Sequence, residues 1–349
     1  MKIGIGIDRT VGLSFDEEAE ISVEAARLGY TSIWTPEGTG YDAFQVCLNR
    51  WQATRQAGFA TTETGISVSP VALRTPLSLA MSAGTLSYMS DGKFVLGIGS
   101  GDIYRSSGRR SFGFDNTSVF DVMATYLRIV RSLLAGEEVT CDYPTIKLHK
   151  ISLDINPLPF TPVCLAALGP KMLGLAGELA DGVALNWCTS DQVKWSRDVI
   201  TKRAKMVGRD LSNIKIVEYV RVCVDDDVDL ARRALAKAML GYAMGPAGSN
   251  KKLGYRGHFD RMGFSDPLTK LDHMRDNGES IDDMADAFPP ELLRKVGYYG
   301  DGEGVVAALQ GLMKGLDTLI VRVVPARLGF KSALATMKAC APVIGNVQQ

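Results

Sequence analysis

A glycine-rich strand end is the first place where this sequence could hold a ligand. Residues 96–102 read LGIGSGD, an apolar run that passes into glycines and then a carboxylate. Glycine has no Cβ atom, so its backbone can approach a flat or anionic ligand closely. We predict that Gly99, Ser100 and Gly101 contact a cofactor and that Asp102 accepts a hydrogen bond there. The alternative is a turn that uses glycine for a positive φ, because the spacing departs from the G-x-G-x-x-G dinucleotide pattern.

A second candidate is an anion site at the start of a helix. Residues 166–172 read AALGPKM, in which Gly169 turns the chain after a strand and Pro170 suits the first helical position. Free amides and the helix dipole attract anions at such an end, and Lys171 adds a positive charge. The pattern predicts a bound phosphate group, and the alternative is an ordinary helix start.

Two more predicted strand ends carry polar side chains. Ser67, Val68 and Ser69 end an apolar run and are followed by closely spaced prolines. Either the prolines set an ordinary turn, or this segment has an unusual backbone, such as a cis peptide, beneath a planar ring. Asn186 ends a further run and could donate or accept a hydrogen bond from a ligand.

The acids nearest to these strand ends are Glu37 and Asp42, in the segment WTPEGTGYD at 34–42. Burial in a partly apolar pocket raises the pKa of a carboxyl group, so either could transfer a proton. Ordinary solvated loop acids are the alternative. The three histidines form no H-x-x-H array, and no G-x-S-x-G or C-x-x-C motif is present. We therefore predict no metal site and a cofactor that supplies the reactive atom.

Composition limits the classes of partner. The sequence has 39 Lys and Arg against 39 Asp and Glu, so its formal net charge is zero. A neutral chain disfavours bulk binding to nucleic acid or to an anionic membrane. With 46% apolar and 22% charged residues and no long apolar run, the sequence predicts a globular, cytoplasmic protein that acts on a small molecule.

The elements that must position these residues follow a repeated pattern. Eight short apolar runs rich in β-branched residues alternate with segments of helical period. The runs are Lys2 to Asp8, Ser32 to Glu37, Thr64 to Ser69, Phe94 to Gly99, Pro162 to Ala167, Gly182 to Trp187, Ile214 to Val224 and Thr318 to Val324. This pattern predicts an α/β fold, a single (β/α)8 TIM barrel. An open doubly wound sheet is the alternative, but it would carry a glycine-rich phosphate loop after its first strand.

Two intervals are too long for one crossover helix. They cover about 103–160, after predicted strand four, and about 241–297, after predicted strand seven. Connections after strands lie on the catalytic face of a TIM barrel, so we predict insertions that shape a pocket, with an oligomerising role as the alternative. No repeat or linker interrupts the sequence, which favours one domain over 1–349.

Residues 165–183, LAALGPKMLGLAGELADGV, resemble the "AAxGPKMLxLAGExADGV" stretch of the bacterial luciferase-like family of flavin- and deazaflavin-dependent oxidoreductases. The stretch is especially similar to the methylenetetrahydromethanopterin reductase branch, which uses coenzyme F420. LGYTSIW at 28–34, DGKFVLGIGSG at 91–101 and FDRMGF at 259–264 support the resemblance, which covers roughly 1–207 and 255–324.

The resemblance implies a TIM barrel with insertions, usually a homodimer or higher homo-oligomer. It implies that segment 67–69 backs the cofactor ring, often through a non-proline cis peptide. Segment 99–102 would lie beside the ring or ribityl chain, and segment 169–171 would meet the phosphate. Many relatives have Asp-His where this chain has Pro36-Glu37, so Glu37 would replace that histidine. A subset similar to "EGYGxDAF" has a glutamate there.

The leading hypothesis is a coenzyme F420-dependent oxidoreductase that moves a hydride between C5 of the deazaflavin and a small organic substrate. In this hypothesis Glu37 transfers the proton and Asp102 has a positioning role. One alternative is an FMN-dependent two-component monooxygenase, supplied with reduced flavin by a partner reductase and reacting with oxygen. An alternative of another class is a flavin-binding protein without turnover.

Overall fold

The computed structural model describes residues 1–210, 212, 214–245, 251–252 and 254–348. These residues form two compact units. Unit 1 comprises 1–17, 186–195 and the chain from 218 onwards, and unit 2 comprises 18–185 and 196–217. The single domain expected over 1–349 stays a prediction.

Eleven strands lie in the described residues. They are β1 (Lys2–Gly6), β2 (Ser32–Thr35), β3 (Glu63–Pro70), β4 (Phe94–Gly99), β5 (Val139–Tyr143), β6 (Ile146–Ile151), β7 (Val163–Ala166), β8 (Gly182–Asn186), β9 (Lys215–Val224), β10 (Gly297–Gly300) and β11 (Thr318–Val323).

The helices alternate with these strands along much of the chain. They are α1 (Phe15–Arg27), α2 (Ala43–Gln56), α3 (Pro76–Met89), α4 (Ser106–Ser111), α5 (Val119–Leu134), α6 (Pro170–Leu179), α7 (Ser190–Met206), α8 (Val228–Ala243), α9 (Gly254–Arg261), α10 (Ser265–Asp276), α11 (Ile281–Ala287), α12 (Pro290–Val296), α13 (Val305–Leu312), α14 (Phe330–Cys340) and α15 (Pro342–Gln348). Short 3₁₀ helices cover Arg9–Val11, Val71–Leu73 and Gly101–Tyr104.

Each unit contains part of a parallel sheet. In unit 2 the strand order is β2–β3–β4–β7–β8, with parallel pairing throughout. In unit 1 the order is β10–β9–β11–β1, in which β10 pairs with β9 and β1 with β11 in parallel. Strands and helices alternate as a (β/α)8 barrel requires, and the predicted TIM-barrel fold class is confirmed.

The predicted runs and the strands of these two sheets correspond closely. All eight runs contain a strand, and for β4 both predicted ends coincide with the observed ones. The sequence missed β10, whose residues are GYYG. Glycine is depleted in strands and β10 has no β-branched residue, so its propensity is weak and pairing with β9 determines its conformation.

The two long intervals contain structure of their own. Interval 103–160 holds α4, α5 and the antiparallel hairpin of β5 and β6. Interval 241–297 holds α9 to α12 in its described part, although its sequence has no steady helical period. These helices pack with α8 and β10 around a cluster of buried rings that includes Trp187, Phe259 and Phe264. Burial of each such side chain contributes roughly 1.5–3 kcal/mol, which explains how short helices without strong periodicity are stabilised.

The described residues contain neither a membrane-spanning helix nor a metal-binding group of side chains. No helix there is both long and apolar enough to cross a bilayer. In the same ranges, His, Cys, Asp and Glu side chains form no group of three that could bind a metal ion.

A buried carboxyl group lies on β9. Glu218 is 1% exposed, and its Oε1 atom accepts a hydrogen bond of 2.7 Å from the backbone amide of Cys188. Its Oε2 atom has no partner among the described residues. Burial raises the pKa of Glu218 from its ordinary value of 4.5 to about 8, even though the Cys188 amide and the positive charge of Arg221 both lower it. Glu218 is therefore mainly neutral at pH 7.

The raised pKa of Glu218 predicts a pH dependence of stability. The unfolded carboxyl ionises near pH 4.5, so stability is fully present below that pH and is lost as pH rises through about 8. The slope is at most about 1.4 kcal/mol per pH unit. We expect a Glu218→Gln variant, which mimics the neutral acid, to lose less unfolding free energy than the wild type between pH 5 and pH 8. Urea unfolding across that range measures the difference, and parallel curves for the two proteins would contradict the assignment.

Candidate active site

The end of β3 has an irregular backbone. The register between β3 and β4 shifts between Ile66 and Ser69, and the Ser67–Val68 peptide bond is cis. The carbonyl oxygen of Val68 accepts a hydrogen bond of 3.2 Å from the amide of Glu37, which ties the loop after β2 to this bulge. Of the two sequence interpretations of this segment, the structure shows the unusual backbone.

The glycines of β4 make room for that bulge. A Cβ atom on Gly99 would lie 2.6 Å from Val68 Cγ2 and 3.2 Å from the Cβ of Ala166. Gly101 has a φ of +53°, and a Cβ atom there would lie 2.7 Å from the Cβ of Pro70. Both glycines are therefore required by packing or by backbone conformation, whether or not they also contact a ligand as predicted.

Glu37 lies in a dense network of polar contacts next to the bulge. Its side chain is 3% exposed, and Arg74 donates to both of its oxygens through Nε, at 3.0 and 3.1 Å, and to Oε1 through Nη2. The hydroxyl of Ser69, on the bulge itself, donates to Oε2. A bidentate arginine contact holds a carboxylate in a fixed orientation. The structure thus brings together two predicted site residues, Glu37 and Ser69, with Arg74, which was not among the predicted site residues.

Arg74 also contacts Asp42, which caps the N-terminus of α2. Its Nη2 atom lies 2.5 Å from Asp42 Oδ2, and its guanidinium lies 4.7 Å from the ring centroid of Phe44. Burial opposes ionisation of Asp42, but the hydrogen bond from Arg74 and those from the helix amides lower its pKa below the usual range. The hydrogen bonds that Arg74 donates to Glu37 are the main cause that raises the pKa of Arg74 above its usual value. The carbonyl of Arg74 accepts a hydrogen bond of 3.0 Å from Tyr126 of α5.

The predicted residues at the end of β4 are more exposed. Gly99 is buried and Ser100 is half-buried, whereas the carboxylate of Asp102 is 65% exposed and lies 3.8 Å from Arg105. No contact between Asp102 and Glu37 is present among the described residues. A positioning role for Asp102 stays a prediction.

The predicted phosphate site lies at the N-terminus of α6. Gly169 precedes the helix in an extended conformation, no side chain caps it, and Pro170 occupies the first turn as predicted. Lys171 is exposed, and a Cβ atom on Gly169 would meet nothing within 4 Å. The helix end is therefore open to an anion, as the sequence suggests.

Asn186, at the carboxyl end of β8, already has protein partners. Its Nδ2 atom donates to the hydroxyl of Tyr255 on α9, and its Oδ1 atom accepts from Arg221 on β9. Arg221 was missed by the sequence interpretation, although a lone arginine inside the apolar run EYVRVCV was a signal that could have identified it.

Unit 1 contains a cavity of about 1000 Å³ beside the N-terminus of α7. Its lining includes four basic side chains and one acidic side chain, which are Arg261, Arg294, Lys295, Lys314 and Asp191. Thr189, Ser190 and Gln192 add polar groups at the helix start. Excess positive charge and a helix N-terminus favour an anionic guest. This cavity could not be predicted from the sequence, because its basic residues come from distant segments.

Comparison with known proteins identifies the family. The sequence profile of the luciferase-like monooxygenase family matches residues 2–318. A 5,10-methylenetetrahydromethanopterin reductase of Methanolobus tindarius is 29% identical over 208 residues, which are 60% of each chain. The match thus spans less than two thirds of that relative. A Mycobacterium tuberculosis protein, provisionally named a coenzyme F420-dependent oxidoreductase, is 25% identical over 86% of this chain and 88% of its own.

Solved structures share the fold. The coenzyme F420-dependent tetrahydromethanopterin reductase of Methanopyrus kandleri aligns with a TM-score of 0.76 at 20% identity, over 98% of this chain and 99% of that one. An F420-dependent secondary alcohol dehydrogenase, solved with an F420–acetone adduct, gives 0.74 at 16% identity over 98% of both chains. A long-chain alkane monooxygenase gives 0.68 at 13% identity, over 100% of this chain and 91% of that one. From the profile match over most of its length, the chain belongs to the luciferase-like monooxygenase family.

Proposed function

We propose that the protein is an oxidoreductase that uses coenzyme F420 and transfers a hydride between C5 of the deazaflavin and a small organic substrate. The observation that carries the proposal is the bulge at the end of β3, where Ser69 contacts the buried Glu37–Arg74 pair. The carboxyl ends of barrel strands are where TIM-barrel enzymes bind their ligands. A fixed carboxylate at this end suits a reaction in which a cofactor supplies the reactive atom and the protein handles a proton.

The relatives favour F420 over FMN. One of the relatives described above is named a methylenetetrahydromethanopterin reductase, and another is provisionally named a coenzyme F420-dependent oxidoreductase. FMN-dependent monooxygenation remains the second candidate, because a structure of that kind with bound FMN shares the fold at a TM-score of 0.62.

The residues present fit the two chemically distinct parts of such a cofactor. The half-buried Val68 on the bulge, which packs on Gly99, would lie against the planar ring. The acidic tail would meet the open N-terminus of α6, which lies in the same unit as the bulge and carries Lys171. Free amides and the helix dipole favour an anion there, so we propose that this helix end binds the phosphate-bearing tail.

When bound, the deazaflavin supplies C5 as hydride donor or acceptor. The chain's own contribution is to orient the reactants, exclude water and move a proton. Arg74 keeps Glu37 oriented toward Ser69, whose hydroxyl donates to Glu37 Oε2. Glu37 could thus accept a proton through the Ser69 hydroxyl, which is the role that we propose for this pair.

Titration of the purified protein with F420 and with FMN tests the cofactor. We expect quenching of deazaflavin fluorescence by the protein and oxidation of reduced F420 in the presence of small carbonyl compounds such as acetone. Preferential binding of reduced FMN accompanied by oxygen consumption would contradict the proposal and favour the monooxygenase. Tight cofactor binding without turnover of any tested substrate would favour the non-catalytic alternative.

Replacement of Glu37 tests its role in proton transfer. We expect Glu37→Gln to lower kcat roughly 10²- to 10⁴-fold, the usual contribution of a general acid or base, with little change in F420 affinity. Glu178→Gln is a matched control, because Glu178 is also paired with an arginine, Arg203, through two hydrogen bonds. Steady-state rates and fluorescence titration measure both effects. An unchanged kcat in Glu37→Gln would remove Glu37 from the mechanism.

Removal of one positive charge tests the tail site. We expect Lys171→Ala to weaken F420 binding roughly tenfold or more, as loss of a charged hydrogen bond does, and to reduce the salt dependence of binding. Lys314→Gln, in the basic cavity of unit 1, is the control and should leave F420 affinity unchanged. Unchanged affinity in Lys171→Ala would remove the start of α6 from the tail site.

A further inference from the structure

A buried guanidinium contacts two adjacent aromatic rings in unit 1. Arg221, on β9, is 4% exposed. The centre of its guanidinium is 4.0 Å from the ring centroid of Trp187 and 4.9 Å from that of Tyr242 on α8. Arginine is the cation that stacks well on aromatic faces, because its planar group is weakly hydrated. The two rings fix the plane of the guanidinium.

Most of the hydrogen-bonding capacity of Arg221 is unused. Nη1 donates to Oδ1 of Asn186 and, at 3.4 Å, to the carbonyl of Tyr219. Nε and Nη2 have no partner among the described residues, and no described carboxylate forms an ion pair with Arg221. Arginine carries five N–H donors in a planar fork, so one edge of that fork is unpaired.

Arg221 differs in this respect from the other buried arginines of the described chain. Each of the other three has a carboxylate partner, in the pairs Arg50–Glu18, Arg256–Asp272 and Arg322–Asp8. Burial of an unpaired charge is costly. Glu218 is close in sequence, but burial raises its pKa to about 8, so it is mainly neutral at pH 7 and does not balance the charge. A bound anion would supply the counter-charge that the described residues do not.

The position of Arg221 is suitable for a ligand. Asn186, its hydrogen-bond partner, is the last residue of β8, so the guanidinium is tied to the carboxyl end of a barrel strand. Tyr242, which covers one side of it, is 40% exposed. Asn186 holds its amide in one orientation, with Nδ2 toward Tyr255 and Oδ1 toward Arg221. The network thus fixes the guanidinium from one side and leaves its Nε–Nη2 edge without a partner.

We propose that the Nε–Nη2 edge of Arg221 binds the carboxylate of an organic acid, with the exposed Tyr242 packing on the flat part of that molecule. A guanidinium edge matches the two oxygens of a carboxylate in a bidentate contact. The ligand class is therefore an organic acid, and Asn186 acts as the positioning residue of Arg221.

Benzoate is a suitable probe, and benzamide is its neutral counterpart of the same shape. We expect the wild-type protein to bind benzoate, measured by isothermal titration calorimetry, and to bind benzamide about ten- to one-hundredfold more weakly, as expected for loss of a charged contact. Arg221→Gln should weaken benzoate binding by a similar factor. Arg55→Gln is the matched control, because the guanidinium of Arg55 lies 5.3 Å from the ring centroid of Trp51 at an exposed position. It should bind benzoate as the wild type does.

Asn186→Asp provides a second test in case Arg221→Gln does not fold. The introduced carboxylate would pair with Arg221 inside the protein and should abolish benzoate binding while the guanidinium stays in place. Equal affinity of the wild type for benzoate and benzamide would overturn the inference. Benzoate affinity that is unchanged in Asn186→Asp and in any folded Arg221→Gln would also overturn it.

F420 titration of the same samples separates this inference from the proposed function. Benzoate binding that depends on Arg221, in a protein that does not bind F420, would support the inference and contradict the proposed cofactor. An Arg221→Gln variant that loses F420 together with benzoate would assign the guanidinium to the cofactor and overturn the inference.

Discussion

The arrangement at the end of β3 depends on one electrostatic requirement, which is that the buried carboxylate of Glu37 needs a positive partner. Transfer of an unpaired carboxylate from water into a protein interior is strongly unfavourable. Arg74 meets the requirement with a bidentate contact, and it simultaneously binds Asp42 at the start of α2. Ser69 adds a hydrogen bond from the bulge. The loop after β2, the bulge of β3 and the first turn of α2 are thus held together by one arginine.

Much of the fold could be predicted from the sequence, because its strands are short, apolar and β-branched and its helices are amphipathic. For this reason both predicted boundaries of β4 agree with the observed ones. Elements whose stability comes from tertiary packing could not be predicted in this way. The residues of β10 have little strand propensity, and α9 to α12 are stabilised by the buried cluster around Phe259 and Phe264 rather than by their own periodicity.

In the candidate site, too, some residues could be predicted from the sequence and others could not. Glu37 and Asn186 could be identified because each is a polar residue directly after an apolar run. Their partners could not, since Arg74 is 37 residues from Glu37 and Arg221 is 35 residues from Asn186, and only the fold brings these pairs together. The glycines of β4 were interpreted either as ligand contacts or as turn residues. The structure adds a reason that sequence alone does not contain, because Gly99 makes room for the side chain of Val68.

Trp187 combines a left-handed backbone conformation with an aromatic contact to Arg221. Trp187 is fully buried and has a φ of +56°, a left-handed conformation that is rare for a bulky residue. Glycine or asparagine would adopt that conformation more easily, yet either would remove the indole that lies over Arg221. A smaller residue at position 187 would therefore relieve the main-chain conformation but remove the aromatic ring that Arg221 contacts. A protein library that diversifies residue 187 should recover well-folded members that have lost this stacking partner.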